Sequence, residues 1–416
     1  MPELTYSLFD PSACEFPSPR VQLLPSFARA VKSDDERLAG FELVGRGRDK
    51  RLYTRGRYAL FEAYRLCGVG PLAGLLAPAY HCRTMLDPAI SLNAIVTLYP
   101  MLANLAPDLA ALEAQLIAMP QRPRAMLLTH YFGFPQDAES VKAFCDRHDL
   151  ALIEDCSHAL FNPREQPRLG QFGQYTIASP YKLLPCEEGG LLIAAKSAAL
   201  TVANLKRASL LTDAKTISNA IGRTRLNRRP QVNATDIDNL PTTLAQILAK
   251  PIAAGIERLS PESSTSSLYI KAEEEMAGSI SSRLLIQISN LSHAVSKRRE
   301  NYLTWQKEVQ NLPHCKPLFQ QLPNDCVPYM FPLLIDFPQQ HFYVLKKLGM
   351  PIWRWDDMGQ SHCATAQRYR QHLLHLPCHQ TLTQAEMQWM TSAISLVLKL
   401  PLHTANTLSE SNPLRP

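Results

Sequence analysis

Apolar positions along the chain change rhythm near Tyr58. Before it, residues 1–40 are proline-rich and weakly periodic, and they read as an arm rather than a core element. From Tyr58, residues Ala59, Leu60, Ala63, Tyr64, Leu66 and Cys67 recur at helical spacing, with Gly68 as the C-cap. Short apolar runs then alternate with helical ones. Strands are expected over 74–77, 94–98, 125–129, 151–153, 175–178 and 191–195, and helices over 85–92, 109–117 and 141–148. Alternating β and α elements with short, wholly apolar strands indicate an α/β fold, a mostly parallel sheet covered by helices on both faces.

Residues 210–285 break this alternation with Asn-Arg-Arg-Pro and Ser-Pro-Glu-Ser-Ser-Thr-Ser-Ser stretches, and read as an insertion or crossover. A long amphipathic helix is expected over 286–309. A smaller α+β unit follows over 326–400, with strands at 329–336 and 351–355. Its closing helix, 384–400, starts behind a Thr383 N-cap with Glu386 at the capping-box position. The last dozen residues are polar and expected to fray. The resulting division is an arm at 1–40, a large α/β domain at 41–285 with a divergent insertion around 210–275, and a small C-terminal α+β domain at 286–416.

Composition narrows the function classes. With 46% apolar and 19% charged residues in 416, the chain is neither disordered, coiled-coil nor collagen-like. The net charge of +6 comes from 43 basic against 37 acidic residues, and the basic runs at 46–57 and 223–229 are short, so nucleic acid is not an expected partner. None of the ten cysteines sits at CxxC spacing, which argues against zinc and thioredoxin-like motifs, and no metal site is expected. Scattered single cysteines suit a reducing compartment. The N-terminus carries no signal-peptide pattern, and no apolar run is long enough to span a bilayer, so the expected location is cytoplasmic.

Two segments carry candidate chemistry. In Ala-Leu-Ile-Glu-Asp-Cys-Ser-His, 151–158, an apolar strand ends at Asp155 with His158 three residues on. The carboxyl edge of a parallel strand faces the crevice where ligands bind in open α/β sheets. In residues 176–193, Lys182 sits in a turn between two apolar strands, with Ser179 before it and Gly189-Gly190 after it. Its nearly uncharged neighbourhood favours the neutral amine, the form that attacks an aldehyde. A strand-end carboxylate and a turn-borne lysine are what pyridoxal phosphate needs: one to hold the pyridine nitrogen protonated, the other to form a Schiff base. On spacing alone the same residues also read as a helix-capping aspartate and a solvated lysine at a hairpin tip. His130 reads as structural. Gly68-Val69-Gly70 follows a helix and is not a dinucleotide loop. Arg354 reads either as a substrate-carboxylate ligand or as a surface arginine, and Arg298-Arg299-Glu300 as a solvated helix face.

The ordered set of motifs resembles the DegT/StrS-type sugar aminotransferases, fold-type I pyridoxal phosphate enzymes. Arg55-Gly56-Arg57-Tyr58-Ala59-Leu60 is similar to the family's Ser-Gly-Thr-x-Ala-Leu phosphate turn. Ala77-Pro78-Ala79-Tyr80 is similar to Val-Pro-Ser-Tyr/Phe, and 129–135 to Val-His-Leu-Tyr-Gly-Gln-Pro. Residues 154–159 match Glu-Asp-Ala-Ala-Gln/His-Ala, and 182–190 the spacing of Lys-x-Leu-x-x-Gly-Glu-Gly-Gly. Residues 376–383 match Leu-Pro-Leu-His-x-x-Leu-Thr. The resemblance implies that Lys182 holds the cofactor covalently and shuttles the proton. It also implies that Asp155 pairs with the pyridinium nitrogen and that His158 sits at or on the ring. The backbone at Gly56-Arg57 would hold the phosphate with help from Ser179, and Tyr80 would face the ring. Departures are Arg57 for the usual Thr, Ile177 for a Ser, Glu187-Glu188 in the glycine run, and no Gly-Tyr-Asn-x-Arg-Met stretch after 200.

The implied protein is a homodimeric aminotransferase with a large-domain sheet of the seven-stranded type. It would move an amino group from a glutamate-like donor to a keto sugar, of the nucleotide-linked kind, with no nucleic-acid or membrane partner. Two alternatives are a degenerate pyridoxal phosphate fold that binds or regulates without amino transfer, and another reaction of the same cofactor such as an amino-acid lyase.

Overall fold

The continuous apolar runs become strands of one sheet. The computed structural model describes residues 4–26, 48–159, 169–200, 205–207, 210–227, 232–324 and 326–401. Strand β1 (Leu4–Asp10) lies apart from that sheet. Strands β2 (Lys50–Tyr53), β3 (Gly74–Pro78), β4 (Val96–Tyr99), β5 (Pro123–Thr129), β6 (Ala151–Asp155), β7 (Tyr175–Ala178) and β8 (Gly190–Ala194) form a seven-stranded sheet in the order β2-β8-β7-β6-β5-β3-β4. The pairs among β4, β3, β5, β6 and β7 are parallel, while β8 runs antiparallel to both β7 and β2. Every residue of β3, β7 and β8 is buried, as expected of strands covered on both faces.

Helices α1 (Gly56–Leu66), α2 (Arg83–Ser91), α3 (Leu109–Ala118) and α4 (Ala138–Arg147) connect these strands. Gly68 takes the left-handed backbone, φ 77°, just past the end of α1, as its C-cap role requires. Asp108 and Asp137 cap α3 and α4, accepting from the N–H groups of Ala111 at 3.0 Å and Ser140 at 3.1 Å. These helix and strand expectations hold to within a few residues at each end.

The 210–285 region is ordered as α5 (Leu210–Asn227), α6 (Ala234–Asp238), α7 (Leu240–Leu248), strand β9 (Ile256–Glu262) and α8 (Ile280–Ile288). Then follow α9 (Leu291–Val309), β10 (Cys315–Pro317), β11 (Met330–Ile335), α10 (Pro338–Lys347), β12 (Met358–Gly359), α11 (Ala364–His372), β13 (Leu373–Pro377) and α12 (Gln384–Leu398). The capping box expected at the start of α12 is present, with Thr383 Oγ1 accepting from Glu386 N–H at 3.2 Å and the Glu386 carboxylate from Thr383 N–H at 2.8 Å.

Three expectations are corrected. The amino-terminal segment supplies a strand: β1 pairs with β9 in register from Leu4↔Glu262 to Asp10↔Ile256, with Tyr6 and Leu8 buried. Two inward positions between prolines are too few to announce that alternation. The single helix expected over 286–309 is broken, because Ser289 is extended (ψ 136°) and Asn290 caps α9 by accepting from His293 N–H at 3.0 Å. The strand expected over 351–355 is only a bridge, Trp353↔His375, since β13 takes the ladder beside β11. The basic run ending at 229 and the frayed terminus fall partly or wholly outside the described residues.

One buried group conflicts with its surroundings. His341 on α10 is fully buried, with neither ring nitrogen hydrogen-bonded to a described residue, and it faces His314 at 6.2 Å and Phe337 at 6.0 Å. Burial, then the neighbouring His314, pushes its pKa down to about 4. The unfolded chain therefore binds a proton that the folded chain refuses, and stability is lost as pH falls from about 6.5 through 4. His341→Leu should be neutral or stabilising by about 1 kcal/mol at pH 7.5 and should flatten the acid limb of a urea-midpoint-against-pH curve. A steeper limb or a loss of several kcal/mol would contradict this.

Candidate active site

The carboxyl edge of the sheet gathers the residues singled out above. Thr129, Asp155 and Ile177 are in register across β5, β6 and β7, so the segments after them leave at the same level. Asp155 is buried and, among the described residues, caps no helix; its Oδ1 accepts from Ser157 N–H at 2.9 Å, holding the turn that leads to His158. Past β7 come Ser179 and a single 3₁₀ turn, Pro180–Lys182. Lys182 is half-buried, with Nζ 5.8 Å from the centre of the Tyr329 ring. The two turns meet: Ser179 Oγ donates to Ser157 Oγ at 3.0 Å, and the Tyr329 ring lies against both Lys182 Nζ and the His158 ring.

A polar cradle sits beside them. Helix α1 starts at Gly56 with no side-chain cap. A Cβ on Gly56 would come within 2.3 Å of Ser179 Oγ and 3.6 Å of Ser157 Oγ. Those two hydroxyls are hydrogen-bonded to each other at 3.0 Å. Uncapped helix N–H groups beside two buried hydroxyls make an anion site. Strand β8 closes the cradle from behind. A Cβ on Gly190 would meet Arg55 O at 2.0 Å, so only glycine lets β8 approach that closely. Arg57 turns away from this arrangement, its guanidinium donating to the Leu268 carbonyl.

An aromatic wall faces the cradle. The His158 ring stacks on Tyr329 at 4.5 Å and on Phe132 at 5.9 Å. His158 Nδ1 accepts from Phe132 N–H at 3.3 Å, with Phe132 held in the left-handed region at φ 56°. Burial first, then Lys182 and His375, holds His158 well below the ordinary histidine range, so it is a neutral imidazole. Tyr80 is fully buried, 4.7 Å from Trp355, with its hydroxyl 2.9 Å from His375 Nε2. The Trp353 indole only donates, to His375 Nδ1 at 2.7 Å, so neutral His375 carries its proton on Nε2 and donates it to Tyr80. Burial and then Lys182 push His375 down to about 3, in keeping with that neutral tautomer.

Nearby groups with metal-binding chemistry are committed elsewhere. The ligand atoms of His130, Glu154 and Cys156 lie within 4.8 Å of one another. Glu154 accepts from the N–H groups of Gly170, Phe172 and Gly173 and from His130 Nε2, while His130 Nδ1 accepts from Gln136 N–H. Burial raises the Glu154 carboxyl, but His130 and the Gly173 and Gly170 N–H groups outweigh it and hold it below its ordinary value. The set therefore braces the strand ends. Arg354 is likewise internal: it pairs with Asp356 at 2.5 Å and stacks on Phe342 at 3.7 Å.

Residues 53–223 match the DegT/DnrJ/EryC1/StrS aminotransferase family. The L-glutamine:scyllo-inosose aminotransferase of Streptomyces griseus is 32% identical over 148 residues, 34% of this chain and 33% of that protein. The L-glutamine:2-deoxy-scyllo-inosose aminotransferase of Streptomyces kanamyceticus is 28% identical over 146 residues, again 33% of that protein. The match thus spans about a third of the length of these curated relatives. Among solved structures, the aminotransferase PseC of Helicobacter pylori, involved in the biosynthesis of pseudoaminic acid, aligns over 92% of this chain and 99% of its own with a TM-score of 0.60 and 16% identity. That likeness carries the fold alone, an α/β fold built on a mostly parallel sheet.

Of the residues expected from the sequence, Asp155, His158, Ser179, Lys182, Gly56 and Tyr80 lie along one edge of the sheet. Sequence reasoning passed over Ser157, although the hydroxyl lies inside the quoted 151–158 segment, and it had no signal for Tyr329 or His375. The cradle is directly testable. Gly56→Ala should displace Ser179 Oγ and weaken pyridoxal phosphate binding about tenfold or more while leaving binding of phosphate-free pyridoxal unchanged. Equal effects on both compounds in a titration would contradict a phosphate cradle.

Proposed function

We propose that this chain is a pyridoxal phosphate-dependent aminotransferase that moves an amino group from an amino-acid donor of the glutamate or glutamine kind to the ketone of a sugar-like ring. The observation that carries it is the meeting of Asp155, Lys182 and the Gly56–Ser157–Ser179 cradle at one sheet edge. The family match over 53–223 and the names of the curated relatives support the same reading. A nucleotide-linked acceptor is part of the proposal.

The residues fit the cofactor. A phosphate suits the start of α1, with Ser179 and Ser157 donating hydroxyl hydrogens and the backbone of Gly56 and Arg57 supplying N–H groups. Pyridoxal phosphate supplies an aldehyde that exchanges amines and a pyridine ring that withdraws electrons. Asp155, buried at a strand end, would be the group that keeps the ring nitrogen protonated. Lys182 Nζ would be the group that holds the cofactor aldehyde and, when free, the base that moves a proton at the reacting carbon. His158, neutral and stacked on Tyr329, packs as a flat wall rather than as a charge. Tyr80, held by His375, is an aromatic wall to the same crevice.

We also propose a homodimer. Ile280, Leu284 and Ile288 form an exposed stripe along α8, and Leu211, Ile217 and Ile221 are exposed on α5, which packs against it. An apolar face of this kind suits a second copy, and sedimentation velocity reads the state directly.

Borohydride reduction of the protein mixed with pyridoxal phosphate should attach the cofactor to the peptide carrying Lys182. In a separate, unreduced sample of the holoprotein, addition of glutamate or glutamine should convert the visible absorbance band to that of the amine form of the cofactor. Lys182→Ala should abolish the attachment and lower turnover by a factor of about a thousand or more. Labelling at another lysine would overturn the assignment of Lys182. Labelling at Lys182 with no response to any amino donor would favour the binding-only alternative.

A further inference from the structure

Arg298 lies in the middle of α9, on what the charge pattern presents as a solvated face, yet it is only 1% exposed. Its guanidinium donates five hydrogen bonds. Nε–H goes to Gln380 Oε1 at 2.9 Å, Nη1 to the carbonyls of Pro328 at 3.2 Å and Tyr329 at 3.1 Å, and Nη2 to those of Lys182 at 3.3 Å and Leu183 at 3.2 Å. Gln380 Nε2 closes the ring by donating to Leu183 O at 2.9 Å. All these partners are neutral oxygens. A buried guanidinium without a carboxylate costs free energy that an apolar side chain would not, so its contribution lies in geometry.

The geometry is specific. A planar fork with five donors can fasten several carbonyls at once, which an ammonium on a flexible stem cannot. Arg298 ties together three segments remote in sequence: the Lys182–Leu183 turn, the Pro328–Tyr329 lead into β11, and Gln380 just after β13. Two of them bear on the site. The first carries the amine. The second carries the Tyr329 ring, which lies 5.8 Å from Lys182 Nζ and stacks on His158 at 4.5 Å.

We infer that Arg298 is a positioning residue for Lys182: through the backbone carbonyls it fixes where the amine stands relative to the Tyr329–His158 stack. The inference rests on the reading of Lys182 as the covalent anchor of pyridoxal phosphate. Loss of the fork leaves the cradle and Asp155 intact and lets the lysine turn shift, so the effect falls on covalent capture and not on cofactor recognition. A displacement of about 1 Å at a reacting group is enough to cost one to two orders of magnitude in rate.

The test measures the rate at which Lys182 captures pyridoxal phosphate, by borohydride trapping and peptide mapping, in the wild type, Arg298→Gln, Arg298→Lys and Gln380→Leu. The dissociation constant for non-covalent pyridoxal phosphate is measured in parallel in Lys182→Ala, with and without Arg298→Gln. Arg298→Gln should slow capture about tenfold or more, and Arg298→Lys should recover only part of it. Gln380→Leu, which keeps the guanidinium, should slow capture about two- to threefold. In the Lys182→Ala background Arg298→Gln should leave the dissociation constant within about twofold. Capture at the wild-type rate by folded Arg298→Gln overturns the inference. So does an equal weakening of cofactor binding without Lys182, which marks a general structural role. If neither Arg298 variant folds, unchanged capture by Gln380→Leu overturns it and slowed capture sustains it. Absent labelling of Lys182 in the wild type instead defeats the proposed function, a result distinct from a labelled wild type matched by its variants.

Discussion

Everything chemical in this protein depends on the parallel register of three adjacent strands. Because Thr129, Asp155 and Ile177 stand level across the sheet, the segments that leave β5, β6 and β7 emerge together. A shift of one residue in β6 would turn Asp155 to the opposite face and take the Ser157 and His158 turn with it. The antiparallel β8 extends the constraint, since its first residue, Gly190, meets Tyr53 at the end of β2 and brings the start of α1 to the same edge. One sheet edge thus acquires a carboxylate, an amine, two hydroxyls and a helix N-terminus from three separate stretches of chain.

The groups around that edge are held by polar satisfaction as much as by packing. Glu154 and His130 spend their hydrogen-bonding capacity on backbone groups and on each other, which braces the turns after β5 and β6. His375 is fixed in one tautomer between a donor-only indole and a tyrosine. Phe132 is held at positive φ, which aims its N–H at His158, and the adjacent Gly133 leaves no room for a Cβ, which would lie 2.1 Å from Val327 O. Arg298 extends the same economy to the lysine turn.

Much of this was legible in the residues themselves. Buried strands announce themselves as unbroken apolar runs, so β3 to β8 were legible, and a carboxylate at the end of one and a lysine past the end of another marked the candidate site. What was missed has physical causes. Strand β1 buries only Tyr6 and Leu8, too short an alternation to stand out among prolines. The Arg298 side chain looks like its neighbour Arg299 in sequence. Only the tertiary approach of three carbonyl-bearing segments makes it internal. Tyr329 and His375 join the wall from the C-terminal part of the chain, at sequence separations that no local pattern encodes. The helix break at Ser289-Asn290 turned on one side-chain cap. The carbonyls around Lys182 have no sequence signature at all.

The most direct measurement of the central claim is a crystal structure of the protein soaked in pyridoxal phosphate. The phosphate should lie at the start of α1 against Ser157 and Ser179, the ring nitrogen against Asp155, and the aldehyde carbon joined to Lys182. Density for the cofactor at any other position, or a phosphate bound at α1 with the ring turned away from Asp155 and Lys182, would contradict the account.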